Sequence, residues 1–120
     1  MDSERKREIL ARGITCFNRG LFFECHEVLE QIWLAETPEE KPFYQGLIQV
    51  AAGFHHFQSG NLAGARSLLR QGLEKLAAYP SEHHGMDLAG LRALLQPWLR
   101  ALDNNQQPAE LTLPRIHQSP

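Results

Sequence analysis

The sequence predicts an all-α fold, a compact bundle of about five helices built from stacked helical hairpins and followed by an extended C-terminal tail. Three observations predict it. Apolar residues recur at three- and four-residue steps, capping residues, glycines and prolines punctuate those runs, and part of the pattern repeats. The repeat is explicit: Phe17, Gly20 and Leu29 return as Phe57, Gly60 and Leu69, at a constant offset of 40 residues. Two copies are fewer than a solenoid needs, so a fifth helix must close the core.

Each element follows from its own residues. Ser3 is placed to cap a first helix with Ile9, Leu10, Ile14 and Phe17 on one face, and Gly20 to end it. The second helix runs from about Phe22 to Glu36. Thr37-Pro38-Glu39-Glu40 has the form of a capping box, with proline at the first helical position and a carboxylate three residues after the cap. A helix therefore starts there, and Pro42 is expected to break it before a main body spanning about Phe43 to Ser59.

Gly60-Asn61 reads as a stop and a new cap. Leu62, Ala65, Leu69, Leu73 and Leu76 then mark a fourth helix that ends by Pro80. The fifth begins near Asp87, carries Leu88, Leu91, Leu95, Trp98 and Leu102 inward, and is expected to kink at Pro97. Residues 1–103 form a single helical domain, and 104–120 a tail that docks through Leu111, Leu113 and Ile116.

Composition narrows the function. A chain of 120 residues with 42% hydrophobic content supports one core. The net charge of -2, with both signs scattered, offers no field to hold a phosphate backbone, so nucleic acid is not an expected partner. No apolar run approaches the ~20 residues that cross a bilayer, and Met1 to Glu8 lacks the apolar core of a signal peptide. Cys16 and Cys25 read as reduced thiols. A cytoplasmic location is the expectation.

The chemistry concentrates in His26-Glu27-Val28-Leu29-Glu30-Gln31-Ile32-Trp33. On a wheel of about 100 degrees per residue, Phe22, Phe23, Cys25, Leu29, Ile32, Trp33 and Leu34 form an apolar arc with His26 and Glu30 at its centre. An unpaired carboxylate on an inward face must find a partner, a proton or a cation. His26 and Glu30 can pair as i, i+4 neighbours, or supply two ligands to one divalent ion such as Zn, Fe or Mn. On the third helix Gln45, Gln49 and His56 form a polar stripe, with His56 as a further metal ligand, and the site is expected to be buried between these two helices beside the Trp33 indole.

The run from Phe22 to Trp33, with Gln45-Gly46-Leu47-Ile48-Gln49 and Gly60-Asn61-Leu62-Ala63-Gly64-Ala65, resembles the bacterial and archaeal family catalogued as domain of unknown function 309. The resemblance covers roughly Ile9 to Ala78 and rests on the family's H-x-x-x-E-x-x-W/Y signature, here His26, Glu30 and Trp33. It implies an all-helical fold and a motif of interest, one suggested in that family to bind metal without an assigned activity, and it supplies no substrate.

Other candidates rank lower. His26-Glu27-x-x-Glu30 is similar to a zincin helix with its second His replaced, which would make Glu27 a general base, but Glu27 lies near the wet face. His55 reads as structural. His83-His84 falls in a loop that could complete a metal site by folding back, and Glu39-Glu40-Lys41 is accounted for by capping. No phosphate loop or nucleophile elbow is present, so no catalytic residue is assigned and enzymatic activity stays open. Two functions remain. One is a polar site holding a divalent cation for an unidentified small molecule; the other is a tetratricopeptide-like helical-hairpin module for a protein partner or a second copy, with the polar cluster purely structural.

Overall fold

A computed structural model describes residues 1–106, 108 and 111–118. It contains α1 (Ser3–Asn18), α2 (Phe22–Ala35), α3 (Lys41–Gln58) and α4 (Leu62–Leu76), then β1 (Glu82–His83) and β2 (Met86–Asp87), then α5 (Leu88–Asp103). Consecutive helices pack as α1 on α2, α2 on α3, α3 on α4 and α4 on α5. The all-α bundle of five helices is the observed fold, with one small antiparallel β-hairpin added.

The two helical hairpins repeat in detail. After α1, Gly20 adopts φ +75°, and its N–H and that of Leu21 donate to the carbonyls of Phe17 and Cys16; after α3, Gly60 at φ +83° and Asn61 do the same to Phe57 and His56. Both corners are Schellman turns, whose left-handed residue glycine adopts without strain. The offset of 40 also reaches Gly13 and Gly53, where a Cβ would lie 2.7 Å from Leu29 and 3.3 Å from the Leu69 backbone. Small residues at equivalent places thus let each hairpin close.

Helix starts follow the expected chemistry at two of the five. Asn61 Oδ1 accepts from Gly64 N, and Asp87 Oδ1 from Gly90 N, each at 2.9 Å. At α1 the cap is Asp2, not Ser3, its carboxylate accepting from Arg5 N at 2.8 Å. At α3 the capping-box expectation fails. Residues 38–40 form a turn, α3 begins at Lys41 with Pro42 in its first turn, and no side chain caps it. Glu40 is free to point elsewhere.

The core is centred on an aromatic cluster drawn from α1, α2, α3 and α5. Phe17 meets Phe22 edge to face, Phe22 stacks on Phe54, and Trp98 stands edge-on to both Phe54 and Phe57. Each such fully buried ring stabilises the fold by roughly 1.5–3 kcal/mol through lost apolar exposure. Trp98 therefore makes α5 the closing helix. Its indole N–H donates to Thr112 O in the following segment, where Ile116 is buried, Leu111 half-buried and Leu113 exposed. Asn18 holds Ile116 from both sides, accepting from its N–H at 2.7 Å and donating to its carbonyl at 2.9 Å.

No helix among the described residues is long and apolar enough to cross a membrane.

Candidate functional site

His26 and Glu30 meet as their i, i+4 spacing demands, with His26 Nε2 3.0 Å from Glu30 Oε1. They are not buried. The His26 side chain is 29% accessible and that of Glu30 47%, so the pair sits at the edge of the helix interface. The reason is visible in the arc that was expected to face inward. Phe23 is 48% and Leu34 70% exposed, while the buried residues of α2 are Phe22, Cys25, Leu29 and Ile32. Removing the two exposed members rotates the buried arc away from His26 and Glu30.

The pair nevertheless carries an unmet bond. Glu30 faces the Nε2 side of the ring, and the Nδ1 side is turned into the protein. His26 Nδ1 is enclosed and has no hydrogen-bond partner among the described residues, and the same holds for Trp33 Nε1 and Gln49 Oε1. The Trp33 ring is covered by Lys41 Nζ, 5.3 Å from its centroid, and Phe23 lies 5.3 Å from His55 between ring centroids. These contacts bracket an antiparallel α2–α3 pair whose middle turns carry His26 and Glu30 on one helix and Gln45 and Gln49 on the other.

The polar stripe of α3 does not converge as a whole. Gln49 Nε2 donates to Gln71 Oε1 on α4 at 3.2 Å, and Gln45 is half-buried. His56 is engaged at the α3–α4 corner, its Nδ1 3.1 Å from Asn61 Nδ2. His26, Glu30 and His56 do not form a three-ligand group among the described residues. Glu27 is exposed.

The described residues that do group in this way are Glu40, His83 and His84, with one ligand atom from each inside 4.8 Å of the others. His83 Nε2 lies 3.2 and 3.1 Å from the two Glu40 oxygens, and His84 Nε2 is 2.9 Å from Oε2. The β-hairpin makes this encounter. Glu82 pairs with Asp87 and His83 with Met86, leaving His84 and Gly85 as a two-residue turn with φ +51° and +75°. Phe43, buried, stands behind both imidazoles at 4.8 and 5.4 Å between centroids; Tyr79 flanks His83 and Tyr44 stacks on His84.

Burial pushes the Glu40 carboxyl up, but hydrogen bonds from His84 and His83 and their charge outweigh it and hold it below the ordinary value. Burial, with Glu36 and Glu40 nearby, pushes the Tyr44 hydroxyl well up, so it remains a neutral donor. Sequence reasoning assigned Glu40 to capping and so missed it. Its partners are 43 and 44 residues away, and only the His-His pair itself signalled anything.

Comparison with known proteins bears on the α2 strip. The family model described as Domain of unknown function (DUF309) matches residues 10–68, which include His26, Glu30, Trp33, Gln45, Gln49 and His56 and stop short of the hairpin. An uncharacterized protein of Aquifex aeolicus is 32% identical over 105 residues, covering 87% of this chain and 32% of that protein. The uncharacterized protein YpuF of Bacillus subtilis is 37% identical over 71 residues, covering 58% of this chain and 39% of its own length. The chain thus matches between about a third and two fifths of the length of these relatives. The segment spanning residues 10–68, which carries the H-x-x-x-E-x-x-W strip on α2 and the two helical corners, is thus similar to the DUF309 family.

Proposed function

We propose that the α2–α3 strip is a ligand site for one divalent cation, with His26 Nδ1 as its nitrogen ligand and Glu30 as the carboxylate that fixes the imidazole. The observation that carries this reading is the set of enclosed polar atoms without partners: His26 Nδ1, Trp33 Nε1 and Gln49 Oε1. Each such atom left unpaired costs about 1–3 kcal/mol, which a ligand between the helices recovers.

The chemistry of these groups suits a cation in part. A histidine that ligates metal through one nitrogen commonly has a carboxylate beside the other, and Glu30 Oε1 stands 3.0 Å from His26 Nε2. Gln49 Oε1 is a free oxygen donor, and the Trp33 N–H suits a water or anion accompanying the ion. His56 Nδ1 is already committed to Asn61, so water or substrate must complete the shell. A bound cation would supply Lewis-acid polarisation there.

Zinc titration of the chelator-treated chain tests this. One equivalent should depend on His26, vanishing in His26→Ala and weakening in Glu30→Gln; equal zinc content in wild type and His26→Ala would reject it. A second reading, a helical-hairpin interaction module, is favoured by Phe23 and Leu34, both exposed on the outward face of α2 that also carries Glu27. It expects self-association or partner capture that Phe23→Ser with Leu34→Ser abolishes while zinc binding persists.

A further inference from the structure

We infer that Glu40, His83 and His84 form a divalent-cation site distinct from the α2 strip, with its open coordination positions turned toward the cleft between α1 and the start of α3. The ligand chemistry is that of a two-imidazole, one-carboxylate set, the kind that leaves room for water or substrate on zinc. Such ligands at 2.0–2.1 Å from a tetrahedral ion stand about 3.3 Å apart. The atoms already approximate that spacing: His83 Nε2 and His84 Nε2 lie 3.1 and 2.9 Å from the same Glu40 oxygen.

The three groups are also held in place. The imidazole rings, 4.3 Å apart between centroids, are backed by Phe43 and flanked by Tyr44 and Tyr79, and the Tyr79 hydroxyl donates to Glu39 O at 2.8 Å, pinning the turn that carries Glu40. Aromatic walls and a second anchor on the ligand-bearing turn are the support that keeps a metal set in register. The hairpin turn places His84 at φ +51°, a position where Asn, Asp or Gly is usual.

The cleft supplies the reason for an open position. It encloses about 460 Å³, and its lining includes Glu40, His84, Tyr44, Glu36, Lys6 and Arg7. Lys6 is neutralised by Glu36 at 2.6 Å, whereas Arg7 has no ion pair among the described residues. An ion on Glu40 and His84 with a free guanidinium across the cleft selects an anionic ligand, a phosphate or a carboxylate, that bridges the two.

The experiment is titration of the chelator-treated full chain with Zn²⁺ by calorimetry, and with Co²⁺ by visible absorption, which reads tetrahedral ligation. Wild type should take up one equivalent that survives His26→Ala and is lost in His83→Ala and in His84→Ala, at least 100-fold in affinity each. Glu40→Gln should weaken it at least tenfold. His83→Gln keeps a polar group against Glu40 and serves where His83→Ala unsettles the hairpin; circular dichroism and the melting profile certify the fold of every variant. Inorganic phosphate should shift the Co²⁺ bands of wild type and not those of Arg7→Ala. Uptake unchanged in folded His83→Gln and His84→Ala overturns the site, as does absence of any His26-independent equivalent. A Co²⁺ spectrum indifferent to phosphate overturns the open position. A wild type that binds the His83- and His84-dependent equivalent and no His26-dependent one would sink the α2 reading and leave this one standing.

Discussion

The α2 strip and the hairpin cluster use the same two side-chain types, and they differ in how the chain brings them together. In α2 the imidazole and carboxylate are one helical turn apart, so the backbone alone guarantees their contact. In the hairpin cluster the carboxylate comes from the turn before α3 and both imidazoles from 43 and 44 residues later, so tertiary structure must supply the contact. The first arrangement is cheap and open to solvent; the second is backed by a buried ring and exists only in the folded protein. The lesson is that local spacing identifies pairs, and packing decides which of them become sites.

The comparison can be broken most sharply at Phe43. Phe43→Ala should destabilise the fold by about 3–5 kcal/mol in urea denaturation and release both hairpin imidazoles, seen as changed His83 and His84 ring signals in NMR, with His26 little affected. Next comes the turn. Gly85→Ala, at φ +75°, should cost about 1–2 kcal/mol and loosen the same two histidines, whereas a hairpin signal unchanged by it would show that the aromatic wall alone holds them.

A pH experiment separates the buried flank of α2 from its open one. Burial, reinforced by the neighbouring Cys16, pushes the Cys25 thiol from 9.0 up to about 12, despite an opposing hydrogen bond to the Phe17 backbone. A raised acid means that the folded state holds its proton more tightly than the unfolded one. That contribution is whole below about pH 9 and is lost as pH rises toward 12. Stability should therefore fall through this window, by up to about 1.4 kcal/mol per pH unit for this group, and Cys25→Val should flatten the decline. The smallest effect is expected from His26→Ala in metal-free protein, under about 0.5 kcal/mol, because an exposed i, i+4 pair contributes little. A loss above 1 kcal/mol there would mean that the strip is structural after all.

Much of the fold was legible because helices are written in short-range periodicity. Asn61 read correctly as a cap, the fifth helix was expected to begin near Asp87 and does, and the Phe17-Gly20 and Phe57-Gly60 echo marked two corners of equal geometry. The misreadings came where a local pattern had a distant competitor. Thr37-Pro38-Glu39-Glu40 fits a capping box, yet the Glu40 carboxylate meets two imidazoles and caps no helix. The β-hairpin escaped notice because two strands of two residues are too short to alternate. Burial of His26 and Glu30 was overestimated because Phe23 and Leu34 look inward on hydrophobicity alone, while the space beside α2 is filled by Phe22, Cys25, Leu29 and Ile32.

The strap formed by residues 111–118 has a kinetic consequence. Asn18 clasps the Ile116 backbone across 98 residues, and His117 O accepts from Asp87 N at 2.8 Å, at the foot of the hairpin. Closing so long a loop carries a large entropic penalty, so the clasp forms late on the folding pathway, after the helical hairpins have docked.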